Sequence, residues 1–249
     1  SSNLSVDGGT IKLDGNYPTG TGNVALGDTA LDSIESGGNY NVAIGRNAAT
    51  ATTTGDNNIA IGNSSFDANT TGSGNVAVGG DALGANTTAS NNVAVGTSAL
   101  LSNTEGTDNV AVGANALDAN TTGNDNTGIG DNALGANTTG SNNTALGSSA
   151  LTSNTTGSEN VGVGGFAGDA ITTGEDNVAV GYHALSSLTT SDGCTAIGHA
   201  ALENNTSGLN TAVGFNALKA NTIGNSNTAI GYKSMTAEVA GDRNVAVGY

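Results

Sequence analysis

Positive charge is scarce in this chain. Five Lys and Arg stand against 21 Asp and Glu, a formal net charge of -16. A nucleic-acid partner requires a basic face to neutralise phosphates, so none is expected. A solvated acidic surface is the plain consequence of the imbalance. Cysteine occurs once, at Cys194, which excludes an intrachain disulfide framework. Proline also occurs once, tryptophan never, and aromatic residues make up 3% of the 249 residues. So few large side chains cannot fill a thick globular core, whereas a narrow solenoid needs only small residues stacked in columns. No apolar run is long enough to span a bilayer, so no membrane insertion is expected in this segment. The polar opening Ser1-Ser2-Asn3 does not read as a signal peptide. With no initiating Met, and with Tyr249 just inside a new repeat, the chain is expected to be a fragment of a longer one.

What is present is one pattern, repeated. Asn92-Val93-Ala94-Val95-Gly96 returns at Asn75 and at Asn109, seventeen residues away on either side. The same element begins at Asn23, Asn41, Asn58, Asn126, Asn143, Asn160, Asn177, Cys194, Asn210, Asn227 and Asn244. Only two steps differ from seventeen: Asn23 to Asn41 is eighteen and Cys194 to Asn210 is sixteen. A fixed period of this kind marks a repeat architecture. Residues 1–22 precede it as a lead-in or connector. There, Ser5-Val6 and Thr10 to Leu13 read as short strands around the turn Asp7-Gly8-Gly9. Residues 23–249 are the solenoid.

Numbering each unit from its Asn, the second residue is Val, Ile or Thr and the third is Ala, or Gly at Gly128 and Gly162. The fourth is Val, Ile or Leu and the fifth is always Gly. Two variable residues follow, then Ala-Leu, and later Asn-Thr-Thr-Gly. The branched residues at positions two and four share one face of a short strand, with Ala on the other. Gly at position five permits the positive φ of a tight corner. Stacked Asn side chains can bond between neighbouring coils. Coils about 4.8 Å apart make a rod of roughly 60 Å, an all-β parallel solenoid of 17-residue coils.

The Ala column is restricted in size, so it must meet another surface closely: the opposite wall of the coil or another chain. Because the coil buries little area alone, association is the expectation. Ala77, Ala94, Ala111, Ala145 and Ala179 are the expected packing column between chains.

At Asn-Val-Ala-Val-Gly-x-x-Ala-Leu the chain resembles the YadA-like heads of trimeric autotransporter adhesins. It is similar as well to Asn-Thr-Ala-x-Gly-x-x-Ala-Leu-x-x-Asn-Thr-Thr-Gly repeats of phage tail fibres and bacterial surface proteins, as in Asn143 to Gly157. The resemblance covers Asn23 to Tyr249. It implies a left-handed β-roll, three chains side by side, and an adhesive or structural role on a bacterial or virion surface. The implied partners are the chain itself, as a homotrimer, and a host-surface glycan or protein.

No constellation for catalysis is visible, so no enzyme activity and no cofactor are expected. His183 and His199 flank Cys194 in adjacent coils. A metal site needs three or four convergent ligands, and these residues hold two loop positions and one Asn-column position, so none is expected. Acidic residues such as Asp108, Asp125 and Asp176 close the coils without the glycine-rich calcium pattern. Asn69, Asn86, Asn120, Asn137 and Asn154 match the glycosylation sequon, but their periodicity has a structural reason.

Two columns carry functional alternatives. In the last repeats the sixth position becomes aromatic, at Tyr182, His199, Phe215, Tyr232 and Tyr249. Such rings stack on successive coils, either to brace an edge or to form a recognition strip for sugar or protein. The Thr column, Thr70 and Thr87 through Thr172, supports a rival function, a monomeric ice-binding solenoid. Adjacent Thr residues are expected to point to opposite sides, leaving a single rank.

Overall fold

The computed structural model describes residues 19–237 and 239–249. The expected strands between Ser5 and Leu13 lie outside the described residues. Fourteen three-residue strands, β1 (Val24–Leu26) to β14 (Val245–Val247), form one parallel sheet in which each strand pairs with the next in sequence. The register is position for position: Val93 pairs with Val110, Ala94 with Ala111 and Val95 with Val112. The 18- and 16-residue coils keep this register too, with Val24 opposite Val42 and Thr195 opposite Thr211. The fold is an all-β parallel solenoid, and the described residues contain no helix. It takes in residues 19–22 as well, since the Tyr40 N–H donates to Thr21 O at 2.9 Å and the Thr19 hydroxyl to Ile34 O at 2.7 Å.

The core is thin and made of columns. The third-position Ala side chains face inward and meet the ninth-position Leu column of the opposite wall. Gly162 shows how closely: a Cβ there would lie 2.8 Å from Leu151 Cγ. Leu83, Leu100, Leu117, Leu134 and Leu151 are fully buried. Volume is traded within coils. In the coil where Ile171 replaces the twelfth-position Asn, the ninth residue is Gly168, where a Cβ would meet Ile171 Cδ1 at 3.0 Å.

Polar columns close the two edges of this core. In the first-position ladder, Asn126 N–H donates to Asn109 Oδ1 at 3.0 Å, and Asn109 N–H donates likewise to Asn92 Oδ1. From Asn23 to Asn227 each side-chain amide also donates to the carbonyl that closes its own coil, as Asn109 Nδ2 does to Gly123 O at 2.8 Å. The twelfth-position ladder runs from Asn120 Nδ2 to Asn103 Oδ1 at 2.8 Å and from Asn137 Nδ2 to Asn120 Oδ1 at 2.9 Å. These side chains are wholly buried, so each donor and acceptor must find its partner inside. Where Ile171 interrupts the column, Asn154 Oδ1 is left without one.

The corners need unusual backbone. Gly96 has φ 139°, and a Cβ there would lie 2.3 Å from Gly113 O, so only glycine fits. Positions seven, nine and seventeen are left-handed with residues other than glycine in most coils, as in Asp81 (φ 57°), Leu83 (φ 53°) and Asn91 (φ 62°). A Leu in this region costs roughly 1–2 kcal/mol. The burial of its side chain and its bond to the next coil, Leu83 N–H to Ala99 O at 3.0 Å, offset that.

Candidate functional site

The rod's surface sorts into faces by column. The first is the outer face of the sheet. Positions two and four point away from the core in all fourteen strands, while position three points in. All 28 outward residues are Val, Ile, Leu or Thr. Leu26, Ile129, Leu146, Ile197 and Ile230 are among the exposed large hydrophobics. An acidic protein therefore carries one long face with no charge on it.

This arrangement corrects the expected packing column. Ala77, Ala94, Ala111, Ala145 and Ala179 are fully buried within the single chain and cannot touch another one. Of the two surfaces that a size-restricted column can meet, it meets the opposite wall. The apolar surface left for a partner is the flanking Val, Ile and Thr.

The second face is aromatic. Tyr182 stacks on His199 (5.6 Å between centroids), His199 on Phe215 (5.2 Å), Phe215 on Tyr232 and Tyr232 on Tyr249 (both 5.4 Å). The interplanar angles are 28°, 20°, 9° and 26°. The column extends sideways at its start, where Phe166 lies parallel to His183 at 5.2 Å and edge-on to Tyr182 at 6.0 Å. Tyr182, Phe215 and Tyr232 remain between 41% and 49% exposed. Parallel rings at this spacing cover one another's faces, so what they offer outward is a rail of ring edges and hydroxyls. Sugar stacking uses ring faces, which are hidden along most of the rail. A protein surface can pack on edges. Lys233 Nζ sits 5.2 Å from the Tyr232 ring centre, and Lys219 pairs with Glu203 at 2.6 Å nearby in sequence.

The residues weighed for metal do not converge. Cys194 is buried, with its Sγ donating to Ser207 O at 3.3 Å, and burial pushes its thiol pKa up. His199 belongs to the exposed ring stack, and His183 Nδ1 lies 3.1 Å from Ser186 Oγ. Among the described residues no three His, Cys, Asp or Glu are grouped so as to hold a metal ion. The sequon Asn69, Asn86, Asn120, Asn137 and Asn154 lie buried in the twelfth-position ladder, out of reach of a glycosyl donor. Comparison with protein-family models and with curated proteins finds no match to this chain.

One column escapes sequence reasoning. Position sixteen reads as a variable loop residue, yet its side chain accepts from the main chain of the preceding coil. Asn39 N–H donates to Asp56 Oδ1 at 2.6 Å, Ser73 N–H to Ser90 Oγ at 3.0 Å and Glu175 N–H to Asp192 Oδ1 at 2.8 Å. The available signal was chemical type rather than identity. Apart from Gly208, every residue at that position from Asn39 to Asp242 carries a side-chain oxygen.

Proposed function

We propose that this chain is a non-enzymatic structural segment of an adhesive fibre, borne on a bacterial or virion surface and assembled as a parallel homotrimer. The observation that carries the reading is the uncharged outer face of the sheet. At about 4.8 Å per coil and 3.3 Å per strand residue, that face covers some 600 Å². This is at the top of the range for a patch on a monomer, and it approaches the roughly 800 Å² per partner of a stable interface. A self-complementary apolar strip on three parallel copies would bury it without any pairing of charges, leaving the acidic columns outside. The aromatic rail near Tyr182 to Tyr249, which offers ring edges rather than faces, is the proposed contact for a protein on the attached surface.

Light scattering at micromolar concentration tests the assembly. A folded monomer of 23.9 kDa would overturn it. Val95→Lys with Val112→Lys should yield that monomer while the circular dichroism stays β-rich. A triple Ser replacement of Tyr182, Phe215 and Tyr232 separates the roles of the rings. Loss of attachment with unchanged melting supports recognition, and early melting assigns the rings to structure.

A further inference from the structure

The corner before each strand carries two columns of threonine, and the structure places them otherwise than alternation along a strand suggests. The residues that face inward here are the twelfth and the fifteenth; the thirteenth and fourteenth both lie outside. Position thirteen is Thr in all eleven coils from Thr53 to Thr222. Position fourteen is Thr in eight of the same eleven, with Glu105, Ser207 and Ile223 the exceptions. The result is a double rank.

The two ranks differ in what their hydroxyls do. The thirteenth-position hydroxyl donates to the main-chain oxygen of the next Thr, as from Thr70 to Thr87, from Thr121 to Thr138 and from Thr155 to Thr172, each at 3.0 Å. That bond holds a β-branched side chain in one rotamer and keeps its lone pairs as acceptors. The fourteenth-position Thr residues are all exposed, and their hydroxyls have no hydrogen-bond partner among the described residues. Packing within the coil therefore explains Thr at thirteen and leaves Thr at fourteen unexplained. Solubility is served as well by Ser, Asn, Asp or Glu, which the neighbouring loop positions use freely.

A rank of uncharged methyl and hydroxyl groups, repeated at about 4.8 Å on a stiff backbone, matches a ligand that is itself periodic, uncharged and rich in both donors and acceptors. We infer that this double threonine rank binds the surface of ice. Each hydroxyl merely exchanges one water contact for another, so a single Thr contributes little. Adhesion comes from many contacts made together by groups already held in place. Activity should therefore depend steeply on the number of consecutive unbroken coils. Glu105 breaks the fourteenth-position rank between Thr88 and Thr122. The inference does not rest on self-association, because these columns lie outside the strand face.

The test is thermal hysteresis and crystal shaping on a cold stage, with the purified chain in buffer. The expected result is faceted crystals and a measurable gap between melting and growth. Glu105→Thr should widen that gap, a gain that misfolding cannot produce. Thr139→Lys with Thr156→Lys should abolish it at unchanged circular dichroism. Round crystals with no gap for the unmodified chain overturn the inference. So does a gap that survives the Lys pair, and so does Thr-dependent co-sedimentation with an insoluble polysaccharide in the absence of any effect on ice.

Discussion

Replacing Asn109 by Leu probes the polar ladder at its centre, with the branching of the side chain kept and its polar atoms exchanged for bulkier methyl groups. The change removes four hydrogen bonds: Nδ2 to Gly123 O (2.8 Å), Nδ2 to Asn92 Oδ1 (3.2 Å), and the two that Oδ1 accepts from Asn126 N (3.0 Å) and Nδ2 (3.2 Å). Their partners do not suffer equally. Gly123 O still accepts from Asn120 Nδ2, Asn92 Oδ1 from Asn109 N–H, and Asn126 Nδ2 still donates to Gly140 O. Only the Asn126 N–H is stranded in a dry interior. An orphaned buried donor costs about 1–3 kcal/mol, and the net loss of the Gly123 bond adds about 1, so the expected destabilisation is about 2–4 kcal/mol. Urea unfolding at matched protein concentration reads this as a lower midpoint at unchanged slope. Hydrogen exchange should show the Asn126 amide losing protection before amides three coils away, because coils contact only their neighbours. A midpoint within about 0.5 kcal/mol of the parent, the scatter of ordinary surface changes, would refute the claim that the ladder stabilises the rod.

The chain already contains the reverse case. Cys194 offers Asn210 N–H only its sulfur, a weak acceptor, so Cys194→Asn should stabilise by about 1 kcal/mol, read as a raised urea midpoint. Asp67, Asp118 and Asp169 have carboxyl pKa values raised chiefly by burial. Their protonated forms therefore favour the fold, and the stability they contribute is complete below the unfolded carboxylate pKa and is lost as pH rises through the folded one. With a net charge of -16 acting in the same sense, the melting temperature should rise on acidification from pH 7 towards about 4. A monotonic fall over that interval counts against it. Leu209 is exposed at φ 60° in a column where Gly74 and Gly193 also stand. Leu209→Gly should gain about 0.5–1 kcal/mol in thermal unfolding, the left-handed penalty less the entropy of glycine. The Cys194 thiol, buried and shifted upward, should resist an aromatic disulfide reagent at pH 8 until the chain unfolds.

Much of the architecture was legible from spacing alone. A seventeen-residue period, Gly at a fixed corner and small-branched alternation lead to in-register parallel coils, and the Asn ladder and ring stack follow from residues set one period apart. The Ala column was legible in size but not in address. A column that never exceeds Ala says that something lies close, and says nothing about which chain supplies it. The answer was held six residues downstream, in the Leu column that fills the opposite wall. The left-handed backbone at Leu83 and its equivalents has no signal in composition, because local preference opposes it and packing overrides it. The Thr pair misled for a related reason. Alternation is a property of extended strands, and this corner bends, so neighbours share a side.

The constant register has a bearing on how such a rod can vary. The eighteen- and sixteen-residue coils place their extra and missing residues in the corner around positions thirteen to fifteen, and the strands on either side pair as they do elsewhere. A single-residue slip is thus absorbed within one bend and is not passed along the axis. Gain or loss of a whole unit is milder still: loss breaks two interfaces and remakes one of the same kind, and gain breaks one and makes two. Such a chain works as a ruler: about 4.8 Å of reach is set by each seventeen-residue graduation, and its length can change by recombination between equivalent marks with little redesign of contacts.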